Sequence, residues 1–267
     1  MDNKKKKITI GWLYPDLMST YGDRGNIIVF KKRSEWRGIK TEVKRLDLGF
    51  KINDLRKCDL LFMGGAQDRQ QQIVAEDLLK KRDVLGKMIE DRIPGLYICG
   101  AYQFLGKYYK EANGTIIPGL DILDLHTVNP GLNHPRLIGN IAVRVNRTLD
   151  SFGKAQGKSS EDDNLYIVGF ENHGGRTYLG KNVKPLGRVI KGFGNNGEDK
   201  TEGAIYKNSF CSYFHGPILP KNPVFADLVI KFALEKKYDS PINLSPLDDN
   251  LETKARNEIA KRLDIRI

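Results

Sequence analysis

Residues 94–106, PGLYICGAYQFLG, pass from an apolar run through Cys99 into a segment that has the pattern of a first helical turn. A strand that ends at a nucleophile and turns at once into a helix exposes that side chain at the carboxyl edge of a sheet. It also leaves the first helical N–H groups free to hold an oxyanion, and the helix N-terminus favours thiolate over thiol. A cysteine after an apolar run is otherwise a small buried hydrophobe, so this stretch alone leaves both interpretations of Cys99 open.

Strand patterns alternate with helix patterns on the N-terminal side of this stretch. The strand patterns are ITIGWLY (8–14), IKTEVKRL (39–46) and CDLLFMGG (58–65), and the helix patterns are GNIIVFKKRSEW (25–36) and an interrupted one over 68–92. The continuous apolar run of CDLLFMGG is typical of a strand buried on both faces. The alternation predicts βαβ units and therefore an α/β fold with a mostly parallel sheet.

The C-terminal side predicts more strands before it returns to helix. Strand patterns at 137–145 and 165–171 indicate an extension of the sheet with active-site loops, and residues 203–223 indicate two strands joined by a KNS turn. A helix is expected over about 222–237, with Asn222 as its N-cap. We expect three segments: a basic tail (1–7), one domain (8–238) and a C-terminal helical extension (239–267).

Composition restricts the class of protein. The chain has 267 residues, 40% apolar and 29% charged, which suits a soluble α/β protein of one or two domains. No stretch approaches the roughly 20 apolar residues of a membrane span, and we find no secretory signal. Three cysteines without CxxC spacing argue for a reducing cytoplasm, without a disulfide framework or metal site. The net charge of +11 favours an anionic partner without choosing among nucleic acid, lipid headgroups and acidic protein.

Two further features fit a nucleophilic Cys99. Gly64 and Gly65 end the preceding apolar run, so in a parallel sheet their N–H groups open on the same edge as Cys99. No Lys-Ser/Thr pair follows them, which argues against a phosphate-binding loop. A thiol nucleophile also needs a base, and among four histidines His215, in SYFHGP at the end of a late strand pattern, is best placed. His173, in ENHGG, is the second choice.

Six stretches resemble, in order, the class I glutamine amidotransferases, and within them the cobyric-acid-synthase-like branch. They are LYPDLMSTYGDRGNI, GGAQDRQQ, PGLYICGAYQFLGKYY, GFENHGGRTYLG, GFGNNGEDKTEG and YFHGPILPKNP, which span about residues 10 to 235. The nucleophile motif of the branch, Cys-Gly-Gly-Tyr-Gln-x-Leu-Gly, is present as CGAYQFLG. Within the branch, the stretches are most similar to the glutaminase subunits of lipid II isoglutaminyl synthases.

The resemblance implies a fold and a catalytic set. The fold is a three-layer α/β sandwich with helices on both faces of the central sheet, plus a C-terminal helix. The catalytic pair corresponds to Cys99 and His215, and the oxyanion N–H groups to Gly65 and Gly100. Broader class I enzymes carry a Glu two residues after the catalytic His, where this chain has Pro217. The resemblance therefore implies a Cys-His dyad, with any orienting acid supplied by a partner.

The substrate contacts implied by the resemblance are Arg136, Gly64 and Gln103. Arg136, in RLIGN, corresponds to the residue that binds the glutamine α-carboxylate, a task that suits the planar fork of guanidinium. Two departures fall close to the implied oxyanion hole, since Ala101 and Ala66 each stand where the family has glycine. Each adds a methyl group without removing a catalytic group.

The resemblance also implies a function in peptidoglycan synthesis. The chain would hydrolyse L-glutamine and pass ammonia to a MurT-like Mur-ligase subunit, which amidates the D-glutamate α-carboxylate of lipid II. ATP and Mg²⁺ would belong to that partner, with no cofactor in this chain, no nucleic acid and at most peripheral contact with the inner membrane face. Two alternatives remain. One is a glutaminase subunit of another synthetase, of the cobyric-acid type, and the other is a non-catalytic basic binding module on the same fold.

Overall fold

The computed structural model describes residues 6–145 and 165–267. Its helices are α1 (Arg24–Glu35), α2 (Ile52–Leu55), α3 (Asp68–Leu79), α4 (Arg82–Glu90), α5 (Gly100–Leu105), α6 (Pro223–Tyr238) and α7 (Asn250–Arg262). Its strands are β1 (Lys7–Leu13), β2 (Lys40–Leu46), β3 (Leu60–Met63), β4 (Gly95–Ile98), β5 (Tyr108–Lys110), β6 (Ile116–Pro118), β7 (Leu125–Val128), β8 (Leu137–Val145), β9 (Tyr166–His173), β10 (Arg176–Leu179), β11 (Gly187–Lys191), β12 (Thr201–Glu202), β13 (Ala204–Tyr206), β14 (Ser209–Ser212) and β15 (Phe214–His215).

The central sheet has six strands in the order β13-β14-β4-β3-β1-β2. Every neighbouring pair is parallel except β13–β14. Strands β3 and β4 are buried along their whole length, as expected for apolar strands covered on both faces. The sequence-based prediction of an α/β sandwich around a mostly parallel sheet is therefore confirmed. The carboxyl ends of β1, β3 and β4 meet at one edge, where their loops assemble a site.

The predicted extension of this sheet was wrong in one respect. Strands β8 and β9 do not extend the central sheet but pair with each other, in a five-stranded sheet of order β12-β11-β8-β9-β15. The antiparallel register runs from Leu137↔His173 to Arg144↔Tyr166, so each strand satisfies the backbone groups of the other. Strands β10, β7, β5 and β6 form another small sheet. The chain leaves the central sheet after Ser212 and enters the five-stranded sheet at Phe214, which places His215 where the two sheets meet.

Smaller differences concern element boundaries. The first strand begins at Lys7, and the rest of the predicted basic tail, up to residue 5, lies outside the described residues. The interrupted pattern over 68–92 is two helices, α3 and α4. Asn222 does precede α6, but its side chain bonds the Val168 backbone and the Ile218 carbonyl instead of capping the helix. Within the described ranges, no helix is long and apolar enough to span a membrane.

Ion pairs join α1, α6 and the start of α7. The Arg33 guanidinium, only 2% exposed, donates to both carboxylate oxygens of Asp227 at 2.6 and 2.8 Å and to Asp249 at 2.6 Å. Arg37 donates to the same Asp227 carboxylate at 2.6 and 2.9 Å. Because Asp249 precedes α7, this network ties the C-terminal segment to the core of the domain.

Replacing Arg33 with Ala should lower the free energy of unfolding by about 3 kcal/mol, because it removes the shared cation and leaves Asp249 without its partner. Urea denaturation followed by circular dichroism measures the change. Lys32→Ala is the matched control, since Lys32 is exposed and its contact with Glu35 is a surface pair at 3.5 Å; it should cost less than about 1 kcal/mol. Equal losses in the two variants would contradict the role given to the network.

Candidate active site

Cys99 occupies the sharp turn between β4 and α5. Its φ of 53° and ψ of −106° are rare for a residue with a side chain, and strain of this kind persists where function requires it. The Cys99 N–H donates to the Ser212 carbonyl on β14 at 2.8 Å, which fixes the turn to the central sheet. The residue is 8% exposed and lines a cavity of about 520 Å³. This geometry favours the nucleophile over the inert buried thiol.

His215 lines the same cavity from the opposite sheet. It is completely buried, and its Nδ1 lies 3.1 Å from Asp23 Oδ1. Its Nε2 has no hydrogen-bond partner among the described residues, and the edge of the exposed Tyr21 ring contacts the imidazole at a centroid distance of 4.9 Å. Burial lowers the pKa of His215, but the negative charge of Asp23 and the Cys99 sulfur outweigh it and raise the pKa to about 10. The imidazole is therefore charged at neutral pH.

Asp23 is a candidate site residue that the sequence did not single out. It lies immediately before α1, in the loop that follows β1, and is fully buried. One carboxylate oxygen holds His215, and the other accepts the Gly65 N–H at 2.7 Å. An acid of this chain thus lies within hydrogen-bond distance of His215, where the resemblance implied that any orienting acid would come from a partner. Its position after a parallel strand, on the edge that carries Cys99, is the signal that could have found it.

Gly65 lies between the nucleophile and the base. A methyl group on it would lie 2.8 Å from His215 Cε1 and 3.0 Å from Cys99 Cβ, so no side chain fits there. Its N–H, assigned to the oxyanion on sequence grounds, is instead occupied by Asp23. The N–H groups of Ala66 and Gly100 have no acceptor in the described part of the chain, and Ala66 N lies 3.2 Å from the position of a Gly100 Cβ. This arrangement leaves the N–H groups of Ala66, which lines the cavity, and of Gly100, the residue after Cys99, as the candidate oxyanion donors.

Gly64, predicted to contact substrate, does not line the cavity. A Cβ on Gly64 would lie 2.5 Å from the Met18 carbonyl oxygen and 2.9 Å from Asp23 Oδ2. The absence of a side chain therefore permits close packing of the loop that carries Asp23. This is a correction to the sequence-based assignment, which could not distinguish a glycine that faces a ligand from one that faces a neighbouring loop.

The two other predicted substrate contacts do line the cavity. Arg136 is held by Asn172, whose side-chain oxygen accepts from Nε at 3.0 Å and whose carbonyl accepts from Nη2 at 2.9 Å. Its Nη1 makes no hydrogen bond to the described residues. Gln103 is 3% exposed and uses both ends of its amide, accepting from Gln71 at 3.1 Å and donating to Tyr213 at 3.2 Å. Arg136 is thus oriented with one donor group left for a ligand, whereas Gln103 is a fixed part of the wall.

His173, the second choice as base, also belongs to the wall. It is 1% exposed, its Nδ1 is bonded to the Gly175 carbonyl at 2.7 Å, and its ring stacks on Tyr213 at 3.7 Å. Burial lowers the pKa of His173, which keeps the imidazole neutral, and its Nε2 lies 3.8 Å from Glu171 Oε2. These contacts favour His215 as the residue that serves Cys99.

The three residues that depart from the family pattern lie in different places relative to the cavity. Ala101 is fully buried within α5 and does not line the cavity, whereas Ala66 does. Pro217 packs against the start of α1, where a Cβ on Gly25 would lie 2.4 Å from its Cγ.

The described residues contain no group of three or more His, Cys, Asp or Glu side chains that could hold a metal ion.

Comparisons with known proteins identify the family of the chain. Residues 9–223 match the CobB/CobQ-like glutamine amidotransferase domain. The chain is 40% identical over 256 residues to the GatD subunit of lipid II isoglutaminyl synthase (glutamine-hydrolyzing) from Staphylococcus aureus, which covers 96% of each chain. It is 39% identical to the same subunit from Streptococcus pneumoniae, over 96% of this chain and 92% of that one. A solved glutamine amidotransferase, 16% identical, superposes with a TM-score of 0.50 over 84% of this chain and 98% of its own, which supports the fold.

Asp23→Asn should slow alkylation of Cys99 by iodoacetamide at pH 7 by roughly tenfold. In the parent chain the His215 imidazolium is lost only as pH rises towards about 10. Without the Asp23 charge, the His215 imidazolium loses its proton at lower pH, so a Cys99 thiolate has no cation beside it. The pH profile of labelling, read by mass spectrometry, measures the change.

Labelling should be confined to Cys99, because burial raises the pKa of Cys58 to about 12 and that of Cys211 far above its usual range. Asp16→Asn provides the control, since Asp16 is exposed and pairs with Arg45 at the surface. An unchanged profile in Asp23→Asn would show that the carboxylate does not act on the Cys99–His215 pair.

Proposed function

This chain belongs to the CobB/CobQ-like glutamine amidotransferase family, and we propose that it supplies ammonia to a MurT-like Mur-ligase subunit that amidates lipid II. It is a glutamine-hydrolysing amidotransferase. The observation that carries the proposal is that Cys99 and His215 line one cavity, with Asp23 bonded to His215 behind it, in a chain that resembles GatD subunits along nearly its whole length.

The first half-reaction forms a thioester. The Cys99 thiolate attacks the side-chain amide carbon of L-glutamine, and the N–H groups of Ala66 and Gly100 stabilise the oxyanion. When the tetrahedral intermediate collapses, the C–N bond breaks and the nitrogen takes a proton from the His215 imidazolium. Ammonia leaves, and a glutamyl thioester and a neutral imidazole remain.

The second half-reaction restores the enzyme. His215, now neutral, removes a proton from water, and the resulting hydroxide attacks the thioester carbon. Collapse expels the Cys99 thiolate and releases glutamate, so the ion pair of thiolate and imidazolium is regenerated. Asp23 holds the Nδ1 side of the ring throughout, which directs Nε2 towards the reacting atoms. The pKa of His215, raised to about 10, keeps the proton available for the leaving nitrogen.

The destination of the ammonia follows from its chemistry. Ammonia released to water is protonated and no longer nucleophilic, so hydrolysis is useful only beside a synthetase that consumes it. We infer that the partner activates the D-glutamate α-carboxylate of the lipid II stem peptide with ATP and Mg²⁺, and that this chain meets lipid II only through it. This work would take place in the cytoplasm, at the inner membrane face. The names of the two similar GatD subunits support this assignment over a cobyric-acid-type synthetase.

Cys99→Ala should abolish release of glutamate from L-glutamine by the purified chain, alone and with its co-expressed ligase subunit, because the thiolate forms the covalent intermediate. Cys58→Ala, which changes a buried thiol away from the cavity, should retain activity. Glutamate is quantified enzymatically, and an electrophilic diazo-ketone analogue of glutamine should label Cys99.

Absence of both turnover and labelling in the unmodified complex would overturn the proposed catalysis. Salt-sensitive binding of polyanions without turnover would instead favour the basic binding module. Hydrolysis of glutamine without amidation of lipid II by the complex would overturn only the proposal that lipid II receives the ammonia.

A further inference from the structure

The cavity carries a carboxylate that none of the steps above uses. Among the described residues that line it, Asp68 is the one carboxylate, and Arg69 and Arg136 are the guanidinium groups. Asp68 is the first residue of α3, two positions after the oxyanion donor Ala66. The helix N-terminus stabilises its negative charge, and the short connection fixes its position relative to the reacting centre.

Asp68 is held by a hydrogen bond from a neighbouring side chain and has no cation paired with it in the described part of the chain. The Tyr109 hydroxyl donates to its Oδ1 at 3.3 Å, whereas within the described part of the chain Oδ2 accepts no hydrogen bond and Asp68 makes no ion pair. Glu111, only 2% exposed, adds a second negative charge nearby. Burial and then Glu111 raise the pKa of Asp68, and the opposing effects of Tyr109 and Arg136 do not cancel them. The environment of Asp68 therefore disfavours a bare carboxylate, which a cationic ligand group beside it would stabilise.

L-Glutamine carries two opposite charges on its α-carbon, and the cavity wall offers one group for each. Arg136 presents a free Nη1 donor suited to a carboxylate, and Asp68 presents a free acceptor suited to an ammonium group. We propose that Asp68 accepts the α-ammonium of glutamine while Arg136 pairs with its α-carboxylate. This inference rests on the proposed glutaminase function and adds the residue that selects for the α-amino group.

Two separate charge contacts discriminate between ligands better than one contact does. A single Arg136 contact would hold any short carboxylic amide, whereas the second contact requires an amino group at the α-carbon with the correct configuration. A site built to pair a charged group rejects an analogue that lacks it, because its own charge then stays unpaired. Asp68 is thereby a specificity residue, and Tyr109 positions it.

The test compares ammonia release from L-glutamine and from 4-carbamoylbutanoate, the analogue without the α-amino group, by the full-length chain in complex with its ligase subunit. Asp68→Asn should raise KM for L-glutamine by about tenfold or more, with kcat within about threefold. Its kcat/KM for the analogue should stay within about twofold of the parent value, so discrimination between the two substrates falls. Asp68→Glu should recover part of that discrimination. Glu76→Gln, on an exposed position of the same helix, is the matched control and should behave as the parent chain.

Equal losses for both substrates in Asp68→Asn, or unchanged discrimination, would overturn the proposal. Calorimetric binding of L-glutamine to Cys99→Ala, with and without Asp68→Asn, gives a second reading that does not depend on turnover. An unchanged Kd there would also overturn it. Tight binding of L-glutamine that depends on Asp68, combined with no hydrolysis by the unmodified complex, would instead contradict the proposed function and leave the binding role of Asp68 supported.

Discussion

One buried carboxylate joins the parts of the site. Asp23 bonds His215 through one oxygen and the Gly65 N–H through the other, so it links the five-stranded sheet to the loop after β3. A buried charge of this kind is stable only when its partners are in place. The same contact charges the imidazole and fixes the glycine that separates it from Cys99. The geometry of nucleophile, base and oxyanion donors therefore depends on a single side chain.

The cavity combines a preorganised floor with a charged wall. At the floor, the strained backbone of Cys99 and the start of α5 hold sulfur and N–H groups in fixed relation. On the wall, Gln71 and Gln103 are fixed by a hydrogen bond to each other and by a second one from Gln103 to the buried Tyr213. Arg136 keeps a free donor and Asp68 a free acceptor. Rigid polar groups and a few unsatisfied charges are what a small zwitterionic ligand requires.

The parallel core was predictable because strand and helix patterns alternate along it and because β3 and β4, at its centre, are short continuous apolar runs that are buried on both faces. The pairing of β8 with β9 was not, since strand pattern alone does not say which sheet a strand joins. Cys99, His215 and Arg136 were found through motifs, and their proposed roles remain predictions that fit the geometry. Asp23 escaped notice because an aspartate before a helix is usually an N-cap. The bond of the Gly65 N–H to Asp23 was not foreseen, because sequence does not reveal which donors a neighbouring loop occupies.

Pro217 packs beside α1, the helix that delivers Asp23, at the position where broader class I enzymes place their acid. The acid and the base are thus separated by 192 residues along the chain. Contacts between such distant segments form only once most of the chain has been organised. A partly folded chain could carry Cys99 on its turn without a charged imidazole beside it. The proposed arrangement of nucleophile, base and acid therefore requires segments from both ends of the domain to be folded together.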